Sequence, residues 1–216
     1  MAAKIFTIAQ QKGGAGKTTI ACHLAVALSE GGKWKVAVVD IDPQKSLSRW
    51  HELREKILGK GKTGLTLSTI GGWRTQNEVD RLKQSMDFVV IDSPPHAETE
   101  ARIAVRAADL VILPVQPSPM DLWAVQPTLD LARQEKARVL LVFNRMPPRG
   151  VLADAVTARA RELGVPVAAA TLGSRVAFAA SLYSGRSVGE SEPSGLAAAE
   201  IAALAKELSQ RAAAAA

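Results

Sequence analysis

The chain has 216 residues, 47% of them hydrophobic and 4% aromatic, which suffices for one packed domain with an aliphatic core. The formal net charge of +6 is a modest excess that favours polyanionic partners. A single cysteine, Cys22, excludes an internal disulfide and a cysteine metal cluster, and we expect it to be a small buried residue. No stretch reaches the roughly 18 apolar residues of a membrane span, and no signal peptide is evident, so we expect a cytoplasmic protein.

The apolar pattern predicts strands that alternate with helices along the chain. The predicted strands are 4–10, 35–40, 65–70 (a weak edge strand), 87–92, 110–115, 138–143 and 165–170. The predicted helices are 20–28, 46–58, 73–84, 98–108, 118–134, 152–163, 174–183 and 196–210. Strands that are apolar on both faces indicate an α/β fold, a doubly wound, mostly parallel sheet with helices on both faces. We expect a single domain over 1–211 and a disordered alanine tail at 212–216.

The first strand and the first helix are joined by the sequence QKGGAGKTT, residues 11–19. Strand, glycine-rich turn and helix are the context of a phosphate-binding loop, because glycines let backbone amides approach phosphate oxygens. Lys17 is predicted to contact the β- and γ-phosphates, and the Thr18 hydroxyl is predicted to bind Mg²⁺. The nucleotide-binding residues predicted in this loop are Lys12, Gly13, Gly14, Ala15, Gly16, Lys17, Thr18 and Thr19.

This loop departs from the general pattern G-x-x-x-x-G-K-[ST], because Gln11 stands where the first glycine would fall. Beside it is a second lysine, Lys12, which could simply be a solvated lysine in a glycine turn. The sequence KGGAGKTT, however, resembles the deviant Walker A loop of the ParA/MinD family of dimeric ATPases. In that family the extra lysine reaches the phosphates of the partner chain. The resemblance therefore implies a homodimer formed on ATP, with Lys12 and Lys17 as catalytic residues.

Acidic residues follow two predicted strands at the sheet edge where α/β proteins bind ligands. Asp92, after FVVI, has the form of a Walker B acid that holds Mg²⁺, and a turn-forming aspartate before Pro94 is the alternative. The segment DIDPQ resembles the switch segment of the ParA family. This implies that Asp42 lies near the attacking water and Mg²⁺ as a catalytic and metal-site residue, and that Asp40 orients the loop lysines.

Two further residues carry predictions about the site. Asn144 follows the predicted strand 138–143, and its amide can donate and accept as an adenine edge requires, or it can serve as a turn residue. Family members carry an asparagine here for base recognition. His51 is expected to be a surface histidine rather than a metal ligand, because no second ligand lies at helical spacing. The segment 116–121 resembles the loop before the dimer-interface helix of the family.

The resemblance covers nearly the whole chain and is greatest to short ParA-type partition ATPases. It implies an ATP hydrolase that is slow alone, dimerises on ATP and binds DNA non-specifically. A ParB-like or other activating partner would stimulate hydrolysis, so that a plasmid, chromosome or large protein assembly is positioned on the nucleoid. The candidate DNA contacts are Arg159, Arg161, Arg175, Arg186, Lys206 and Arg211.

Two other functions stay open. A MinD-like membrane-surface ATPase would need an amphipathic C-terminal helix, but the predicted helix 196–210 offers small alanines and no Trp or Phe to insert in lipid. A nucleotide-dependent synthetase or kinase would need a pocket for a second substrate, which the sequence does not identify.

Overall fold

A computed structural model describes residues 3–70, 74–95, 98–148 and 150–214 of the chain. These residues contain six strands: β1 (Lys4–Ile8), β2 (Val36–Asp40), β3 (Leu65–Thr69), β4 (Phe88–Asp92), β5 (Leu110–Val115) and β6 (Val139–Phe143). They also contain ten α-helices: α1 (Lys17–Ser29), α2 (Ser46–Leu58), α3 (Thr75–Lys83), α4 (Glu98–Ala107), α5 (Pro119–Trp123), α6 (Gln126–Gln134), α7 (Val151–Arg161), α8 (Val176–Tyr183), α9 (Val188–Ser191) and α10 (Leu196–Ala214). A short 3₁₀ turn at Glu30–Gly32 follows α1.

The six strands form one parallel sheet in the order β3-β2-β4-β1-β5-β6. β1 lies between β4 and β5, so the loop after β1 is flanked by the carboxyl ends of both neighbours. In the register of the sheet, Asp92 is the partner of Ile8 on one side and of Asp40 on the other. The predicted α/β fold is confirmed, and β3 occupies the predicted edge position.

Alternate residues of each strand enter apolar clusters on opposite faces of the sheet. Phe6 and Ile8 pack against α1 and α10 on one face, whereas Ile5 packs with residues of α3 and α4 on the other. α1 is apolar on most of its sides, because α10 and the sheet both cover it. Cys22, on this helix, is fully buried, as predicted.

The predicted strand at 165–170 is wrong. Val167 forms only an isolated parallel bridge with Leu141 of β6. The preceding residue is a proline, which has no N–H to donate to a ladder. The amides of Ala169 and Ala170 donate instead to the carboxylate of Glu207 on α10, at 3.2 and 3.0 Å. The segment is therefore attached to the last helix as much as to the sheet.

Two helix predictions also need correction. The single helix predicted over 118–134 is two helices, α5 and α6, because Pro127 at the start of α6 lacks the N–H that a continuous helix would use. The last helix continues to Ala214, past the domain boundary predicted at 211. Trp73, the predicted start of the helix 73–84, lies outside the described residues, and so do residues 215–216 of the predicted tail.

The prediction of a surface position for His51 is wrong. The buried face of α2 consists of residues at helical spacing, and His51 lies on it beside Trp50 and Arg54. Burial lowers the pKa of the His51 imidazole. The guanidinium of Arg54 pairs with both carboxylate oxygens of Glu190 at 2.7 Å, which ties α2 to the start of α9.

Candidate functional site

The loop between β1 and α1 has the backbone conformation that its glycines predict. Gly14 and Gly16 adopt left-handed conformations, with φ of 77° and 95°. Gly16 caps the first turn of α1, and no side chain makes the usual capping hydrogen bond there. The first amides of α1 therefore point toward the loop and suit an anion.

Polar side chains from neighbouring strand ends hold this loop in place. The Gln116 side chain, just after β5, donates a hydrogen bond from Nε2 to the carbonyl oxygen of Gly14 at 2.8 Å. The backbone N–H of Gln11 donates to the Thr128 hydroxyl at 3.3 Å. Gln10 accepts a hydrogen bond from the Lys12 N–H at 3.3 Å. The loop is therefore bound to β5 and α6 as well as to its own flanking elements.

Asn144 also supports the loop in this structure. Its Nδ2 donates to the carbonyl oxygen of Ala15 at 2.8 Å, and its Oδ1 accepts from the N–H of Arg145 at 3.0 Å. A Cβ atom placed on Gly16 would lie 2.3 Å from Asn144 Nδ2. Asn144 is thus a packing partner of the loop, and its predicted contact with a nucleotide base stays a prediction.

Lys17 is buried at the start of α1 and folds back over the loop. Its Nζ donates to the carbonyl oxygen of Gln10 at 2.9 Å. Burial lowers the pKa of the Lys17 ammonium, while the negative charges of Asp92 and Asp42 favour its charged form. The ammonium is therefore held where an anion bound in the loop would meet it.

Thr18 and Asp92 are in direct contact, and their predicted role as Mg²⁺ ligands stays a prediction. The Thr18 hydroxyl donates to Asp92 Oδ2 at 2.6 Å, and the other oxygen, Oδ1, is buried without a hydrogen-bond partner among the described residues. Burial raises the pKa of the Asp92 carboxyl to about 7, and the Thr18 hydrogen bond partly offsets that effect. A buried carboxylate oxygen without a partner beside a hydroxyl fits a divalent cation.

The described residues contain no group of three or more His, Cys, Asp or Glu side chains that could hold a metal by themselves. Mg²⁺ in nucleotide sites usually keeps several waters and binds through one or two carboxylates together with phosphate oxygens. Thr18 and Asp92 would hold such an ion here, where it would neutralise phosphate charge.

The two acids after β2 have different surroundings. Asp40 Oδ1 accepts from the N–H of Asp42 at 3.1 Å, and Oδ2 accepts from the N–H and hydroxyl of Ser48 at 2.8 and 2.7 Å. Both oxygens thus shape the switch turn and the start of α2, and the role of Asp40 in orienting the loop lysines stays a prediction. Asp42 is half-buried, and its Oδ1 accepts from the N–H of Gln44 at 2.9 Å. Its negative charge acts on Lys17, which is consistent with a position beside the phosphate site.

The Lys12 side chain forms an ion pair within its own chain that the sequence did not indicate. Its Nζ lies 2.7 Å from Oδ2 of Asp121, near the start of α5. The lysine side chain is 37% exposed and the aspartate side chain 6%. The Ser118 hydroxyl donates to the same oxygen at 2.5 Å. Lys12 is thus held by its own chain, away from the carbonyl that Lys17 contacts.

Of the further residues that contact the loop, some carry a signal in the sequence and others do not. Gln116 follows β5 directly and Gln10 lies two residues after the end of β1, so their positions near strand ends were a usable signal. Asp121 belongs to a segment that resembles the family pattern, but nothing nearby indicates that it pairs with Lys12. Thr128 lies on α6 and carries no local signal at all.

The candidate DNA contacts differ in their surroundings. Arg175 pairs with Glu200 and Arg211 with Glu207, at 2.6 and 2.9 Å. Arg159 pairs with a glutamate one turn further along the helix. In the described part of the chain, no carboxylate forms an ion pair with the three other candidates, Arg161, Arg186 and Lys206.

The parallel sheet, the glycine loop and the Lys17, Thr18 and Asp92 side chains define a P-loop nucleotide-binding fold. Residues 4–130 match the protein family described as ATPase MipZ. The chain is 32% identical, over 86% of its length and 87% of the relative's, to the maintenance of carboxysome distribution protein A of Halothiobacillus neapolitanus. It is 29% identical to the protein ParA of Rhizobium radiobacter, over 82% and 81% of the two lengths. The chain therefore belongs to the MipZ/ParA/MinD family of ATPases.

Solved structures show the same fold. The MinD cell division protein of Aquifex aeolicus superposes with a TM-score of 0.80 at 20% identity, over 96% of this chain and 97% of that one. The ATP complex of McdA from Cyanothece gives 0.76 at 20% identity, over 95% and 96%. None of the helices within the described ranges is long and apolar enough to cross a membrane.

Proposed function

We propose that this chain is a Mg²⁺-dependent ATPase that dimerises on ATP, binds DNA without sequence preference and positions a large protein assembly. An activating partner protein would stimulate hydrolysis and release the dimer. Membership in the family supports the ATPase part of the proposal. The relatives named for carboxysome distribution favour a protein assembly over a plasmid as the cargo.

The position of Lys12 carries the proposal of dimerisation. Lys17 already supplies one buried ammonium to the phosphate loop, whereas Lys12 extends to α5 and stays partly exposed. On the same short helix, Met120 and Trp123 are 65% and 63% exposed. Exposed large apolar side chains around a charged residue are typical of a surface that becomes buried by a partner. A second copy of the chain would cover this surface and bring its Lys12 to the phosphates.

The chain's own residues suffice for the chemistry that we propose. Lys17 and the first amides of α1 bind and orient the phosphates, and Lys12 of a second copy adds positive charge where negative charge develops. Thr18 and Asp92 would hold Mg²⁺, which when bound would supply positive charge beside the phosphates. Asp42 orients the attacking water. Because Lys12 comes from the other chain, a monomer would hydrolyse ATP slowly.

The membrane-surface alternative is disfavoured by the packing of α10. The apolar face of this helix, including Ile201, Leu204 and Leu208, is buried in the cluster that also contains α1. Leu196 is a large apolar side chain of this helix that stays exposed. Insertion into lipid would require the helix to leave the core, so DNA is the better candidate for the surface that the dimer binds.

Three variants test the proposal. We expect Lys17→Ala to lose tight ATP binding, because a charge-assisted contact of about 2–3 kcal/mol corresponds to a tens- to hundredfold change in affinity. We expect Lys12→Ala to bind ATP but to lose ATP-dependent dimerisation and DNA binding together. We expect Asp42→Ala to bind ATP and accumulate as a dimer that hydrolyses poorly. Calorimetry, light scattering and a DNA shift assay at several salt concentrations measure these properties.

Lys60→Ala is the matched control, since it removes one exposed lysine in the loop after α2. It should behave as wild type in all three assays. A Lys12→Ala protein that still dimerises on ATP would contradict the dimer proposal. Equal DNA binding by the wild-type chain with and without ATP would contradict the coupling of DNA binding to dimerisation.

A further inference from the structure

A basic recess lies at the edge of the sheet opposite the phosphate loop, at the amino ends of β1, β5 and β6. Its volume is about 310 Å³. Buried Phe6 and Leu110 contribute apolar surface to its lining. One carboxylate, that of Asp109, and four cationic side chains also line it: Lys4, Lys136, Arg138 and Arg211. The proposed ATPase function uses none of these residues.

The charges around this recess are not balanced within the described part of the chain. Arg211 pairs with Glu207 outside the recess. No carboxylate of the described residues forms an ion pair with Lys4, Lys136 or Arg138, although seven arginines outside the recess are paired. Like charges that share one concave surface repel each other, and a bound anion would remove that repulsion.

The one carboxylate in the recess already has a structural task. Asp109 Oδ2 accepts a hydrogen bond from the backbone N–H of Ile5 at 2.8 Å. This contact joins the start of β5 to β1 and fixes the carboxylate at the rim. Within the described residues Asp109 forms no ion pair with Lys4, Lys136 or Arg138, and its single negative charge is outnumbered by the cations of the lining.

Backbone contacts fix the main-chain positions of the residues that carry these cations. The Lys4 N–H donates to the carbonyl of Asp87 at 2.9 Å, at the start of β1. The carbonyl of Arg138 accepts from the N–H of Val111 at 2.8 Å, at the start of β6. Lys136 adopts a left-handed conformation, with φ of 54°, in the turn between α6 and β6. The main chain therefore places these three residues around one recess.

We propose that this recess binds a small phosphorylated anion. Lys4, Lys136 and Arg138 would bind the phosphate oxygens, for which the planar arginine fork is well suited. A compact apolar part of the ligand would contact Phe6 and Leu110. The volume lies at the lower end of the roughly 300–1,000 Å³ that small-molecule pockets span, which favours a small ligand over a duplex. The recess is separate from the phosphate loop, because β1 begins at one and ends at the other.

Inorganic pyrophosphate is the probe for this site, titrated by calorimetry into the full chain carrying Lys17→Ala. That background weakens the phosphate loop, so the remaining binding reports on the recess. In it, Lys136→Gln with Arg138→Gln should weaken pyrophosphate binding about 100-fold, about tenfold for each charged contact removed. The matched control, Lys60→Gln with Lys62→Gln, removes the same charge from an exposed loop and should have no effect.

A variant that binds pyrophosphate more tightly distinguishes direct contact with the ligand from a purely structural role of the recess residues. Asp109→Asn keeps an oxygen that can accept from Ile5 and removes the repulsive charge, so it should tighten pyrophosphate binding about two- to fivefold. Absence of pyrophosphate binding in the Lys17→Ala chain would overturn the proposal. Equal weakening by the control pair would also overturn it, as would unchanged affinity in Asp109→Asn.

A duplex DNA titration distinguishes a small anion from a nucleic acid backbone. DNA binding that persists in the Lys136→Gln and Arg138→Gln variant while pyrophosphate binding is lost would support the small-anion assignment. DNA binding that depends on those two residues in a chain that does not bind pyrophosphate would overturn it. The test needs no dimerisation or hydrolysis, so its outcome is independent of the proposed ATPase cycle.

Discussion

Replacing Asp121 with asparagine should strengthen ATP-dependent dimerisation, because it releases Lys12 from a contact within its own chain. Nζ of Lys12 and Oδ2 of Asp121 are 2.7 Å apart, but the lysine is 37% exposed and the pair is screened by solvent. We therefore assign the pair about 1 kcal/mol per protomer. Two lysines move in a symmetric dimer, so the gain of about 2 kcal/mol corresponds to a roughly 30-fold lower dissociation constant of the dimer.

Asparagine is the right substitution because it preserves the local structure. Its amide oxygen can still accept from the Ser118 hydroxyl, and its backbone N–H can still donate to that hydroxyl as the Asp121 N–H does at 3.1 Å. Sedimentation equilibrium with a non-hydrolysable ATP analogue measures the dissociation constant of the dimer. The control is Asp130→Asn, which breaks an exposed ion pair with Arg133 on α6.

The result that would refute this reasoning is a dimer that is unchanged or weaker in Asp121→Asn. A weaker dimer would mean that Asp121 itself contributes to the dimer interface. The double variant with Lys12→Ala provides a second check. If Asp121 acts through Lys12, the double variant should dimerise no better than Lys12→Ala alone.

Two further predictions concern the loop and the core. Gly16→Ala should lose ATP binding in a calorimetric titration, because its Cβ would lie 2.3 Å from Asn144 Nδ2 at a φ of 95°, whereas Gly13→Ala, which meets nothing within 4 Å, should retain most of it. Equal affinities would contradict the packing argument. Burial lowers the pKa of His23 from 6.5 to about 4, and its Nε2 donates to the carbonyl of Phe178. The unfolded chain therefore binds the proton first, so the free energy of unfolding should fall by up to about 3 kcal/mol as pH drops from 6.5 to 4. Urea denaturation measures it, and the same loss in His23→Gln would contradict the assignment.

The central part of the site could be predicted from the sequence because its signals are local. Strand, glycine turn and helix follow each other within residues 4–29, and the loop can fold in few other ways. Asp92 could be placed because parallel strands end at one edge of the sheet, and Asp92 follows a buried strand. The meeting of the Thr18 hydroxyl with Asp92 is the direct consequence.

The errors arose where a distant residue decides the local structure. The apolar run at 165–170 has a strand pattern, but the Glu207 carboxylate, on the last helix, takes its amides. No pattern in the sequence indicates from which hydrogen-bond donor a given carboxylate will accept. The helix break before α6, by contrast, has a local signal in the sequence, because Pro127 lies at the start of that helix.

Both lysines of the phosphate site and the Thr18 hydroxyl have partners within the chain. Lys17 contacts the Gln10 carbonyl, Thr18 contacts Asp92, and Lys12 contacts Asp121. Binding of a nucleotide and its metal ion therefore exchanges existing contacts for new ones. The measured affinity reports the difference between the two sets, as is usual for hydrogen bonds that replace others. In the dimer that we propose, the exchange at Lys12 would be the one that spans two chains, and it is where the stability of the dimer would be set without changing the affinity of one chain for nucleotide.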